Sequence, residues 1–308
     1  MSFFDQFPVQ AFDNMELLAR QVVEGFIIGK HKSPFHGFSV EFAEHRLYNP
    51  GESTRDIDWR VYGRTDRLYS KKFEEETNLR CQLVIDASSS MYFPEEKLKS
   101  GLVLNKLKYS SLAAACIMNI LKTQRDAFGI SIFGENLEVH TQAKSSTKHY
   151  QLCLSFMDKY IREYELNKKG KAADALHQIA EQVHKRSLVI LFSDMFDDAD
   201  KLDEIVHALQ HLKFNKHEVV VFHVSDKRLE VNFEFENRPY QFVDMETGEQ
   251  IRIQSHQIRE QYINHVKEYH SKVRDICIRY KIDYYESDIN EGYNYLLQQF
   301  LGKRNKML

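Results

Sequence analysis

The sequence predicts an α/β fold, a doubly wound and mostly parallel sheet with helices on both faces. Three observations carry this expectation. Gln82-Leu83-Val84-Ile85 and Ser187-Leu188-Val189-Ile190-Leu191-Phe192 are short apolar runs of the kind buried on both faces of a parallel sheet. Each run leads into an aspartate, Asp86 and Asp194. From about residue 79, strand-like and helix-like stretches alternate, which implies crossover connections.

Taken in order, residues 13–28 form a first helix. Leu17, Leu18, Val22, Phe26 and Ile27 make its apolar stripe, and Asp13 or Asn14 caps it. Packing on the main domain is the simplest use of that stripe. Residues 29–80 have a different texture, rich in aromatic and basic side chains, with turn signals at Ser33-Pro34, Asn49-Pro50-Gly51 and Gly63. Residues 38–42 and 68–70 read as short strands. Arg55, Asp58, Trp59, Arg60 and Arg64 cluster around the chain's one tryptophan. They suit either a surface that binds a partner's phosphate or carboxylate, or an internal Arg–Asp network, which the balanced charge favours.

The main domain then runs as strand 82–85, helix 97–122, strand 128–133 with an antiparallel edge partner at 137–141, and helices 147–164 and 172–185. Strand 187–194, helix 200–212 and strand 218–224 follow. Residues 227–253 interrupt the alternation. Leu229, Val231, Phe233 and Phe235 alternate with polar residues, and a turn at Glu246-Thr247-Gly248 joins two further short strands, so this stretch reads as a small β insertion. A helix over 255–280, a strand over 282–285 and a helix over 293–301 close the chain. The expected domains are 1–79, an N-terminal helix and β segment, and 80–302, the α/β domain, with 226–254 as its insertion.

Composition narrows the function. The chain has 308 residues, 42 basic against 45 acidic, for a net charge of -3, so nothing global pulls it toward nucleic acid or an anionic membrane. The longest charge-free helical stretch, 109–121, is too short to span a bilayer, and acidic residues interrupt the N-terminus where a signal peptide would be apolar. A cytoplasmic protein is expected. The four cysteines, Cys81, Cys116, Cys153 and Cys277, are dispersed in apolar contexts and form no CxxC pair; they read as buried free thiols. There is no GxSxG, Walker A or GxGxxG motif. His207 and His211 have the helical spacing of two zinc ligands but no evident third, and Asp197, Asp198 and Asp200 suit the head of the helix they precede.

The candidate site is Asp86, Ser88, Ser90 and Asp194. Adjacent parallel strands ending in Asp86 and Asp194 bring two carboxylates together at the carboxyl end of the sheet, where α/β folds bind ligands. Two carboxylates that close repel unless a cation or a shared proton lies between them. With the Ser88 and Ser90 hydroxyls they offer hard oxygen donors suited to Mg²⁺ or Mn²⁺. Helix capping by the serines is the competing account.

Asp86-x-Ser88-x-Ser90 after a buried strand, a long helix, and Asp194 after a later strand resemble a von Willebrand factor A domain with its metal-ion-dependent adhesion site. The stretches Ser33-Pro34-Phe35-x-Gly37, Glu41-Phe42-x-Glu44-x-Arg46-x-Tyr48-x-Pro50-Gly51, Arg55-x-Ile57-Asp58-Trp59-Arg60-x-x-x-Arg64 and Val243-Asp244-x-Glu246-Thr247-Gly248 resemble the bacterial family called domain of unknown function fifty-eight. The resemblance covers about residues 29–301. It implies that Asp86, Ser88, Ser90 and Asp194 ligate Mg²⁺ or Mn²⁺ and that a partner's Asp or Glu completes the shell. It further implies an adaptor or cochaperone for a MoxR-type AAA+ ATPase. The family's threonine ligand is missing: Lys169-Gly170-Lys171-Ala172-Ala173-Asp174 has no hydroxyl, and Thr147 starts an earlier helix. The implied site is therefore a degenerate one. The alternative function is a Mg/Mn-dependent phosphoester hydrolase using Asp86 and Asp194.

Overall fold

In the computed structural model, the residues described are 14–29, 42–48, 57, 59–73, 79–97, 103–163, 172–195 and 202–307. The chain divides into two compact units, one of residues 31–78 and one made of 1–30 together with 79–308. The first helix thus groups with the α/β body, across the boundary expected at residue 79.

In the larger unit, α1 (Met15–Gly29) buries Leu18, Ala19, Val22, Val23 and Phe26. These contacts are made on a long helix of the body introduced below, where the Cys116 thiol reaches the Ala19 carbonyl at 3.8 Å. That packing uses most of α1's stripe, while Leu17 stays exposed.

The smaller unit holds β1 (Phe42–Leu47), α2 (Trp59–Thr65) and β2 (Tyr69–Phe73). The strands pair antiparallel, with Leu47 opposite Tyr69. Residues 38–41, expected as strand, lie outside the described residues.

The body begins with β3 (Arg80–Asp86), buried at every position after Arg80. A short ribbon of β4 (Glu96–Lys97) and β5 (Val103–Leu104) precedes α3 (Lys106–Thr123). The sequence pattern placed that helix's start near Lys97. It starts at Lys106 because Asn105 caps it, its side chain accepting from the Lys108 N–H at 2.8 Å, and because the residues before it pair as a ribbon. Next come β6 (Ala127–Phe133), β7 (Leu137–His140), α4 (Thr147–Arg162), α5 (Ala172–Gln182) and β8 (Leu188–Ser193). They are followed by α6 (Leu202–Phe214), β9 (Glu218–Ser225), β10 (Pro239–Val243), β11 (Gln250–Gln254), α7 (Ser255–Arg279), β12 (Asp283–Asp288) and α8 (Asn294–Met307).

The sheet order is β12-β9-β8-β3-β6-β7, parallel except for the β7 edge. The expected fold class is what the structure shows. Strand alternation sends Val84, Val189, Leu191, Val219 and Val221 to one face, under α5, α6 and α7. Leu83 and Ile85 point the other way, where α3 packs. α3 is buried on nearly all sides, and its Ser110, Ser111 and Ala113–Ala115 stretch lets it approach closely.

The insertion is less strand-like than its alternation suggested. Lys227–Val231 is one turn of π-helix. Asp226 caps it, accepting from the Arg228 and Leu229 N–H groups at 3.0 Å each, and this capping overrides the alternating pattern. Only β10 and β11 form strands there, as an antiparallel hairpin against α7, with Phe233, Phe235, Phe242 and Tyr262 in mutual ring contact. All four cysteines are buried and free. Among the described residues no helix is long and apolar enough to cross a membrane.

One glycine is required by close approach. A Cβ on Gly129 would lie 2.4 Å from the Thr141 carbonyl oxygen and 2.6 Å from Gln82 Oε1. Gly25, within α1, has open space. Gly129→Ala is expected to cost about 1–3 kcal/mol of stability through overpacking. Gly25→Ala should add about 0.5–1 kcal/mol. Urea unfolding midpoints of the two variants check both signs.

Candidate functional site

Parallel pairing of β3 with β8 sets Ile85 beside Phe192, so Asp86 and Ser193-Asp194 emerge together at the carboxyl end of the sheet. Both Asp86 oxygens are engaged. Oδ1 accepts from the Ser88 N–H at 2.9 Å, and Oδ2 accepts from the Ser193 hydroxyl at 2.6 Å. Ser193 Oγ in turn accepts from the Met195 N–H at 2.9 Å. The Ser88 and Ser90 hydroxyls bond each other at 3.1 Å. Ser88 precedes the single 3-10 turn Ser89–Tyr92 without a side-chain cap bond, so helix capping does not account for it. The structure therefore brings together the four residues singled out from sequence, and all but Ser90 are buried.

Two further residues complete the cluster. Lys106 Nζ donates to Asp194 Oδ2 at 2.8 Å and to Glu230 Oε1. The Lys106 and Asp194 side chains are 1% and 3% exposed, so this ion pair is shielded from solvent. The other Glu230 oxygen accepts from the Asp226 N–H at 2.7 Å. Tyr269 O–H donates to the Met195 carbonyl, fastening α7 to the loop after β8.

Sequence reasoning missed Lys106 and Glu230. Glu230 was read as a polar position in a strand. Lys106 did carry a signal: it is a first-turn lysine on the small and apolar face of Ser110, Ala113 and Ile117. A cation there opposes the helix dipole and calls for acidic company.

The electrostatics follow from one buried ammonium shared by the buried Asp194 and the half-buried Glu230, with the buried Asp86 beside Asp194. Burial alone would lower the Lys106 pKa, but Asp194 and Glu230 more than reverse that and hold it above the ordinary lysine value. Burial raises the Glu230 pKa and Asp194 adds to the rise, against the pull of the Lys106 ammonium. Burial, then Asp194, pushes Asp86 up to about 6 against the pull of its hydrogen bonds.

The donor set, as its side chains stand, does not fit a divalent ion. The Asp86 oxygens and both serine hydroxyls are bonded within the protein, and an ammonium sits on the second aspartate. Among the described residues no group of three or more His, Cys, Asp or Glu side chains is arranged to hold a metal.

Above the cluster lies a groove of about 570 Å³, lined by Ser90, Phe93, Lys106, Glu230, Tyr262 and the hairpin turn at 243–246. The other sequence candidates do not line this groove among the described residues. Trp59, Arg60 and Arg64 are exposed on α2 of the smaller unit. Arg55, Asp58, Asp197, Asp198 and Asp200 fall outside the described residues. Thr147 is the first residue of α4, after its Ser146 cap. His211 meets His177, their Nδ1 atoms 3.0 Å apart, and no third ligand joins them among the described residues.

Removing the ammonium would strand two buried carboxylates. Lys106→Met is expected to cost about 3–5 kcal/mol. Adding Asp194→Asn and Glu230→Gln should recover part of that loss. Urea unfolding of the single and triple variants checks the coupling.

A family model described as "Protein of unknown function DUF58" matches residues 44–272. Uncharacterized proteins of Mycobacterium bovis and Mycobacterium tuberculosis are 23% identical over 219 residues, which is 71% of this chain. The chain spans 65% of the length of these curated relatives. Among solved structures, the conserved hypothetical protein BatB from Bacteroides thetaiotaomicron is similar with a TM-score of 0.44 and 13% identity, over 74% of this chain and 99% of that one.

Proposed function

This chain belongs to the DUF58 family, and from that premise we propose that it is a non-enzymatic protein-binding module, with the carboxyl end of its sheet as the recognition face. The observation that carries this reading is the groove itself. It lies over a rigid, internally hydrogen-bonded cluster and is walled by the hairpin and α7. Such a floor suits docking. Val243 on its rim is an exposed apolar side chain, 51% accessible, and Phe93 and Tyr262 add aromatic surface of the kind that anchors interfaces.

The phosphoester hydrolase alternative is less well supported. Asp86 is buried and both of its oxygens already accept hydrogen bonds, which leaves a poor nucleophile.

The partner we propose is a MoxR-type AAA+ ATPase met in the cytoplasm, with this chain as adaptor or cochaperone. The resemblance to the family supports that choice. The smaller unit offers a second contact surface, where Trp59 is 61% exposed and meets Tyr62 edge-on at 6.2 Å.

The test is a binding titration of the whole chain against the MoxR-type ATPase of the same genome, with ATP, with ADP and without nucleotide. Val243→Arg and Glu246→Arg on the groove rim should weaken binding by about tenfold or more, the effect of losing an interface anchor. Trp59→Ala reports on the second surface. No binding in any nucleotide state, or binding indifferent to both rim variants, would overturn the reading.

A further inference from the structure

We propose that Lys106 is the resident cation of this face, its ammonium standing where the resemblance would put Mg²⁺ or Mn²⁺, so that the face works without a divalent ion. The proposal rests on the interaction reading above only for its consequence in binding; the cation assignment stands on the cluster's own geometry.

The sheet brings Asp86 and Asp194 together, and the insertion adds Glu230. Two buried carboxylates and a half-buried third call for positive charge. The chain supplies it from the first turn of α3, at hydrogen-bonding distance from Asp194 and Glu230. A Lys–carboxylate separation of 2.8 Å is that of a charge-assisted hydrogen bond. Mg²⁺ would need about six oxygens in an octahedron at roughly 2.0–2.1 Å. Here the hydroxyls that would serve as ligands bond each other, and Asp86 is held by Ser88 and Ser193.

The sequence agrees from a different direction. The segment 169–174, where the family resemblance places a threonine ligand, has no hydroxyl.

The position of Lys106 argues against a role in helix stability alone. A cation in the first turn works against the helix dipole, and a buried lysine loses its hydration. The two acidic partners, with the Phe93 ring 5.9 Å from the ammonium, make that position tenable. One of them, Glu230, comes from the π-turn after β9, so the ammonium also ties the insertion, and with it the groove's wall, to the head of α3.

The consequence is that partner contact on this face does not pass through a metal bridge. A partner carboxylate would find Asp194 and Glu230 already holding the only cation of the cluster.

The test is calorimetric titration of Mg²⁺ and Mn²⁺ into the chelator-treated full chain, beside Lys106→Ala and the double variant Lys106→Ala with Asp194→Asn. The expected result is no saturable binding by the wild type at millimolar metal. Lys106→Ala, which opens the cation position, gains saturable binding, and the double variant loses it again. Saturable wild-type binding that Asp194→Asn abolishes would overturn the proposal, as would a folded Lys106→Ala that binds no metal. Lys106→Ala risks unfolding, so a second measurement uses the wild type alone. Nitrogen-15 NMR of the lysine side chains should show one exchange-protected ammonium, absent in Lys106→Arg and not broadened by Mn²⁺. Broadening of that signal by stoichiometric Mn²⁺, or no protected ammonium, would overturn it. None of these readouts involves a partner, so failure here and failure to bind the ATPase are distinguishable.

Discussion

The ammonium of Lys106, shared between Asp194 and Glu230, is the interaction on which the carboxyl end of the sheet depends. It joins three separate pieces of chain: the head of α3, the end of β8 and the turn that opens the insertion. Each of these would otherwise present an uncompensated charge to the interior. A lysine in the first turn of a buried helix, and carboxylates in a cluster of three, are separately unfavourable. Together they form a closed network that locks the α3 end of the groove to its hairpin wall.

Around that network most groups are bonded within the protein, the buried Asp226 Oδ2 being an exception. Asp86 is held by its own loop and by the neighbouring strand, the serine hydroxyls hold each other, and Tyr269 fixes the loop after β8 to α7. Reactive groups in enzymes are commonly left under-satisfied so that they can bond a substrate. The saturation seen here is the physical basis for reading a recognition surface. The groove draws its character from what stands around the cluster: aromatic side chains from the loop after β3 and from α7, and the exposed turn of the hairpin.

Local pattern was informative wherever burial was symmetrical. The runs at 83–85 and 188–192 are apolar at successive positions because helices cover both faces of the sheet, and a periodicity reading needs nothing else to recognise them. It failed where a short-range competitor intervened. Asp226 captures two backbone N–H groups and converts a seemingly alternating stretch into a helical turn. Asn105 sets the start of α3 by capping the Lys108 N–H. The first helix showed its apolar stripe in the sequence, but only packing on α3 assigned it to the body and not to the segment that follows it in the chain.

The sequence by itself determined the α/β class, the buried strands and the meeting of Asp86, Ser88, Ser90 and Asp194, because all of these follow from patterns within a strand or across neighbouring parallel strands. Tertiary structure alone decided what neutralises that meeting of charge. Lys106 and Glu230 lie 124 positions apart, and Lys106 and Asp194 lie 88 apart, so no local periodicity links them. Folding, not spacing, delivers an ammonium to the two carboxylates.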